Sequence, residues 1–138
     1  MKRNFLNLFI LVFSFSMLSM SSASAKVVMS DEKKNNATIE IKLKDHLSLT
    51  LNSTYWELNP APASKVKVSS PVIKVILPNQ TTRPECQHMG SGCGSKTWDL
   101  TFRSAGNYSV IATRNSCGEA MSCTGANGIY KLKVKVIR

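Results

Sequence analysis

An all-β fold of two packed sheets is predicted by three observations. Apolar residues recur at every second position through most of the chain, short turn signals separate these runs at regular intervals, and no window holds a helical period or a useful repeat. A strand with one face on a core and the other in water requires that alternation, because successive side chains point to opposite faces.

Taken in order, Ile39, Ile41 and Leu43 carry a first strand and Leu47, Leu49 and Leu51 a second, with Lys44 and Asp45 turning the chain between them. Tyr55, Trp56 and Leu58 begin a third. Asn59-Pro60-Ala61-Pro62 should stop it, since proline donates nothing to a ladder and restricts the residue before it. Val66 with Val68, and Ile73 with Val75 and Leu77, give short strands on either side of Pro71. Residues 78–94 read as a long loop. Trp98, Leu100 and Phe102 restart the alternation, Ser104-Ala105-Gly106 turns the chain, and Tyr108, Val110 and Ala112 run back. A cysteine-bounded loop over 115–128 leads to a closing strand over 130–136. About seven short strands in roughly 100 residues describe an immunoglobulin-like β-sandwich. The apolar phase nominates Trp56, Trp98, Leu100, Phe102, Val110, Leu132 and Val134 as core.

The amino terminus bears on compartment. Lys2 and Arg3 precede an apolar run over 5–20, and Ala23-Ser24-Ala25 places small residues where a signal peptidase reads. Residues 1–25 are therefore expected to be a signal peptide. A retained anchor is the alternative, but the run is short for a bilayer span and no basic stop signal follows it. Cleavage after Ala25 leaves 113 of the 138 residues, enough for one core. Residues 26–36, polar and charged, are expected to form a flexible tail, and 37–138 the domain. The product is expected to be exported, periplasmic or secreted, with no membrane span after cleavage, and monomeric.

Cys86, Cys93, Cys117 and Cys123 all follow the leader, and an even count in an exported chain argues for two disulfides. Short loops close easily, which favours Cys86 with Cys93 and Cys117 with Cys123; a crossed pairing tying the two loops together is the alternative. A zinc site using Cys86, His88 and Cys93 is a third reading, but the spacing fits no usual pattern and the compartment favours oxidation, so no metal or other cofactor is expected.

Removing Lys2 and Arg3 leaves 16 basic residues against eight acidic ones, a net of +8. Lys131, Lys133 and Lys135 alternate with Leu132, Val134 and Val136, which is the pattern of a solvated strand face; no nucleic-acid partner is expected. Catalysis has little support: His46 reads as a solvated turn residue, His88 sits in the long loop, Asp99 and Glu119 stand apart, and no serine elbow or phosphate loop accompanies them. The chain is not expected to be an enzyme.

The strand order, Gly92-Cys93-Gly94 ahead of an aromatic strand, the Ser104-Ala105-Gly106 turn and the final strand resemble the chagasin-like family of secreted cysteine-protease inhibitors, over residues 36–138. The resemblance implies three loops at one end of the sandwich that wedge into the cleft of a papain-like protease. The family's first loop carries Asn-Pro-Thr-Thr-Gly; here Asn52, Ser53, Thr54 and Tyr55 stand in that place, without the proline and glycine. Its glycine-rich middle loop maps onto Gly90, Ser91, Gly92 and Gly94. Its last loop carries Arg-Pro-Trp; here Arg114 is followed by the cysteine-bounded Gly118, Glu119, Ala120 and Met121, with no tryptophan. The resemblance thus implies a bacterial variant whose last loop is closed by a disulfide. Such a loop has lost freedom before binding, and Met121 offers an adaptable apolar tip. The competing function is an exported immunoglobulin-like module that binds an envelope protein or an anionic surface.

Overall fold

The computed structural model describes residues 24–82, 86, 92–118 and 121–138, so the expected signal peptide lies almost entirely outside the described residues. Among the described residues eleven strands follow one another: β1 (Val27–Ser30), β2 (Thr38–Lys42), β3 (His46–Asn52), β4 (Glu57–Ala61), β5 (Val66–Val68), β6 (Val72–Val75), β7 (Gly94–Phe102), β8 (Gly106–Thr113), β9 (Ser116–Gly118), β10 (Met121–Ser122) and β11 (Ile129–Ile137). One sheet has the order β1-β3-β7-β5, with β6 also on β7; the facing sheet has the order β2-β11-β8-β4. Strands β9 and β10 form a small hairpin of their own. The number of strands exceeds the expected seven chiefly because β1 adds to one sheet and β9 with β10 form a hairpin within the cysteine-bounded loop, while the two-sheet sandwich is as expected.

The period-two residues meet in the space between the sheets. Leu47, Leu49, Leu51, Trp98, Leu100 and Phe102 face Ile41, Tyr108, Val110, Ala112, Tyr130, Leu132, Val134 and Val136 in one buried cluster that also takes in Trp56. Every residue nominated as core is buried. In β11 the odd-numbered lysines are exposed, as the alternation requires, and Lys135 pairs with Glu40 at 2.9 Å.

Four expectations need correction. Residues 26–36 are not a loose tail: β1 runs parallel to β3 in register from Val27 opposite His46, and residues 32–34 form a 3-10 turn capped by Asp31. The three apolar residues of β1, Val27, Val28 and Met29, are consecutive, so the segment shows no period of two, and the short run is followed by a charged stretch. The third strand begins at Glu57, after Tyr55 and Trp56, and continues through Pro60 instead of stopping before it. It pairs only with β8, and an edge position tolerates proline's missing donor. Leu77 lies beyond β6 as the cap of another 3-10 turn. Strand β7 starts at Gly94 rather than Trp98, because Ser95, Lys96 and Thr97 pair with β3 and β6 without supplying an apolar phase.

Candidate functional site

Register places the three predicted loops at one end. The last residue of β3, Asn52, lies opposite Ser95 near the start of β7; the last residue of β8, Thr113, lies opposite both Ile129 at the start of β11 and Glu57 at the start of β4. The connections 53–56, 76–93 and 114–128 therefore leave the sandwich together.

The first and middle loops are joined by their backbones. Ser53 N–H donates to the Gly94 carbonyl and Thr54 N–H to the Gly92 carbonyl, both at 2.9 Å. Ser53 is buried with φ 130°, a conformation that L residues rarely adopt, and its Oγ accepts from Tyr55 N–H at 3.2 Å. Such strain persists only where surrounding bonds hold it. Gly92 has φ 66°, and a Cβ there would lie 2.2 Å from the Tyr55 ring; at Gly94, with φ 139°, it would lie 2.0 Å from the Lys74 carbonyl oxygen. Both positions thus require glycine for closeness as well as for conformation. The Cys86–Cys93 disulfide and the bond from Ile76 N–H to the Cys93 carbonyl at 3.1 Å fix the remaining side of the middle loop.

The last loop is closed by the Cys117–Cys123 disulfide, with β9 and β10 inside it and Met121 exposed at 64 %. Local pairing is thus the observed connectivity in both loops. Arg114 ties this loop to the first. Its guanidinium lies 4.5 Å from the centroid of the Trp56 ring, and its Nε donates to the Asn127 carbonyl at 3.0 Å. Burial depresses the guanidinium from its ordinary value and the Glu32 carboxylate acts in the opposite direction. An arginine stays charged across the accessible pH range, so the attraction to the Trp56 ring is not lost by titration. Trp56 is held in turn: its Nε1 donates to the Asn52 carbonyl at 3.1 Å, and its carbonyl accepts from Lys96 Nζ at 2.9 Å.

The structure therefore brings together Asn52, Ser53, Thr54, Tyr55, Gly92, Gly94, Arg114, Gly118 and Met121. Gly90, Ser91, Glu119 and Ala120 lie outside the described residues. Sequence reasoning missed Glu32, whose carboxylate accepts from the Asn52 backbone N–H and from Asn52 Nδ2, and it missed Lys96 and Asn127. No pattern in the sequence marks these polar partners. Among the described residues no cluster of His, Cys, Asp or Glu could hold a metal, and no helix is long and apolar enough to cross a membrane.

Comparison by sequence finds no matching protein-family model and no matching curated protein. Comparison by structure gives a cysteine protease inhibitor of Entamoeba histolytica, EhICP2, with a TM-score of 0.57 and 15% identity, covering 83% of this chain and 99% of that one. Amebosin, solved in solution, aligns with a TM-score of 0.51 and 14% identity over 83% of this chain and the whole of the other. At these identities the likeness defines the fold: a chagasin-type, immunoglobulin-like β-sandwich.

Proposed function

We propose that the chain is an exported, monomeric, reversible inhibitor of papain-like cysteine proteases, whose three-loop end occupies the protease cleft. The observation that carries this reading is the convergence of the three loops, cross-tied through Gly92, Ser53, Trp56 and Arg114, on one end of a fold shared with a cysteine protease inhibitor. Four features of that end suit binding without cleavage. It is anchored by two disulfides, it sets the Gly92 backbone close against Tyr55, it exposes an apolar Met121, and its first and middle loops are tied by backbone bonds. Prior ordering removes part of the entropy that opposes association. The departures from the family motifs find internal substitutes. Trp56 meets Arg114 from the first loop, where the family has a tryptophan in the last, and Ser53 makes the sharp turn for which the family uses a glycine-containing motif.

The test is titration of residues 26–138 against a panel of papain-like proteases, with the inhibitor recovered uncleaved. Inhibition of at least one member is expected, and changing Lys131, Lys133 and Lys135 to glutamine should leave it unchanged, because those side chains line the body of the sandwich. A panel without inhibition, together with lysine changes that abolish attachment to anionic vesicles, would instead support the surface-binding module.

A further inference from the structure

We propose that the amino-terminal arm, residues 26–36, is a working part of the three-loop end, with Glu32 as its positioning residue. This rests on the protease-inhibitor reading for its consequence, though not for its geometry. Strand β1 carries the chain along β3 toward the loops, and the turn that follows is fixed by Asp31, whose Oδ1 accepts from Lys33 N–H at 3.0 Å. That turn places the Glu32 carboxylate on Asn52, where it accepts from the backbone N–H and, at 3.0 Å, from Nδ2. From Asn52 a single line of contacts runs through the Trp56 indole to the Arg114 guanidinium and on to Asn127. The Glu32 carboxylate also attracts Arg114 electrostatically.

The far side of the arm is anchored on the opposite sheet. Asn36 N–H donates to the Lys131 carbonyl at 2.6 Å, and Lys131 N–H donates to Asn35 Oδ1 at 2.9 Å. The arm thus bridges the two sheets next to the loops. Val27 and Met29 are exposed at 55% and 68%, while Val28 packs against the core and Ser30 is buried on Tyr130, so β1 is held to the body and the turn after it carries Glu32 to the loop. A carboxylate accepting two bonds from one residue fixes that residue's direction. Fixing Asn52 fixes the carbonyl that orients Trp56, and with it the platform for Arg114. The first and last loops consequently act as one body, and a partner meets a surface already assembled.

Glu32→Ala and Glu32→Gln in residues 26–138 test this by amide exchange and by inhibition of a susceptible papain-like protease. Glu32→Ala should speed exchange at the Asn52 amide and the Trp56 indole by about tenfold while protection in β8 and β11 is kept, and should speed dissociation from the protease by roughly five- to tenfold. Glu32→Gln, which retains an acceptor oxygen, should restore Asn52 protection and part of the affinity. Unchanged exchange at Asn52 in Glu32→Ala would overturn the proposal, as would weakened inhibition that follows a lowered unfolding midpoint and is not rescued by glutamine. If the parent chain inhibits no protease, the inhibitor reading fails and the arm's role in binding fails with it. The exchange data still decide the tie between arm and loop.

Discussion

At Gly92 two requirements coincide: a left-handed backbone and the flat approach of the Tyr55 ring. Either alone would be met by small adjustments, but a side chain here must both adopt the strained conformation and displace an aromatic ring of the first loop. Gly92→Leu is therefore expected to weaken inhibition by tenfold or more, about 1.4 kcal/mol, and to lower the unfolding midpoint as well, because the strained backbone and the displaced ring both act on the folded state. An unaltered inhibition constant would show that Tyr55 and the middle loop do not touch the protease. In the core the expectation reverses. Leu100 and Leu132 are buried to within 1% from opposite sheets, in the middle of β7 and β11. Truncating either to alanine should lower stability by roughly 2 to 5 kcal/mol and leave the inhibition constant of the folded protein unchanged, as measured by urea unfolding and titration.

Among the elements, the hairpin of β9 and β10 is the clearest case of local structure held by a covalent link. Only β9 and β10 pair within it, and the Cys117–Cys123 bridge closes a short loop around them. Replacing both cysteines by alanine should cost about 2 kcal/mol through the freed loop entropy, and it should weaken inhibition by more than that loss of stability explains, because Met121 would lose its fixed place. Equal stability of the two forms would mean that the ladder alone holds the hairpin. The legibility of each element follows from what stabilises it. Strand β11 was readable because every second residue is buried between the sheets, and the alternation of lysine with apolar residues records that directly. Strand β1 was not, because it is a short rim strand on a parallel ladder whose apolar residues Val27, Val28 and Met29 stand side by side without alternation, while the residue it buries is the polar Ser30. Strand β4 was cut short in the reading because Pro60 signals a stop, whereas an edge strand leaves one side without a ladder. Within the described part of the three-loop end, Gly92 and Gly94 were legible because their left-handed backbone calls for glycine, and the cysteines because an even count of them predicts disulfides. The Glu32 bond to Asn52 and the stacking of Arg114 on Trp56 depend on tertiary proximity alone, which no local pattern encodes.

For the molecule as a whole, the decisive relation is how the two sheets are joined beyond their apolar contact. One polar link passes between them at depth: Tyr130 of β11, exposed at only 1%, shares a hydrogen bond with Ser30 of β1 at 3.3 Å. Burial raises the Tyr130 phenol above its ordinary value; the bond to Ser30 opposes this, and the Asp31 and Glu32 carboxylates add to it. The sign of the consequence follows from proton binding. Between the unfolded and folded values the unfolded chain holds fewer protons than the folded one, so stability falls as pH rises through that interval. The contribution is fully present below the unfolded tyrosine value, about 10, and is lost as pH climbs through the folded value above it. Urea midpoints followed from about pH 8 to above pH 11 should therefore decline more steeply in the parent protein than in Tyr130→Phe, which cannot ionise at that position. The variant should also start lower, having lost the bond to Ser30. Parallel curves would show that Tyr130 ionises alike in both states and that its burial against Ser30 does not tie stability to pH.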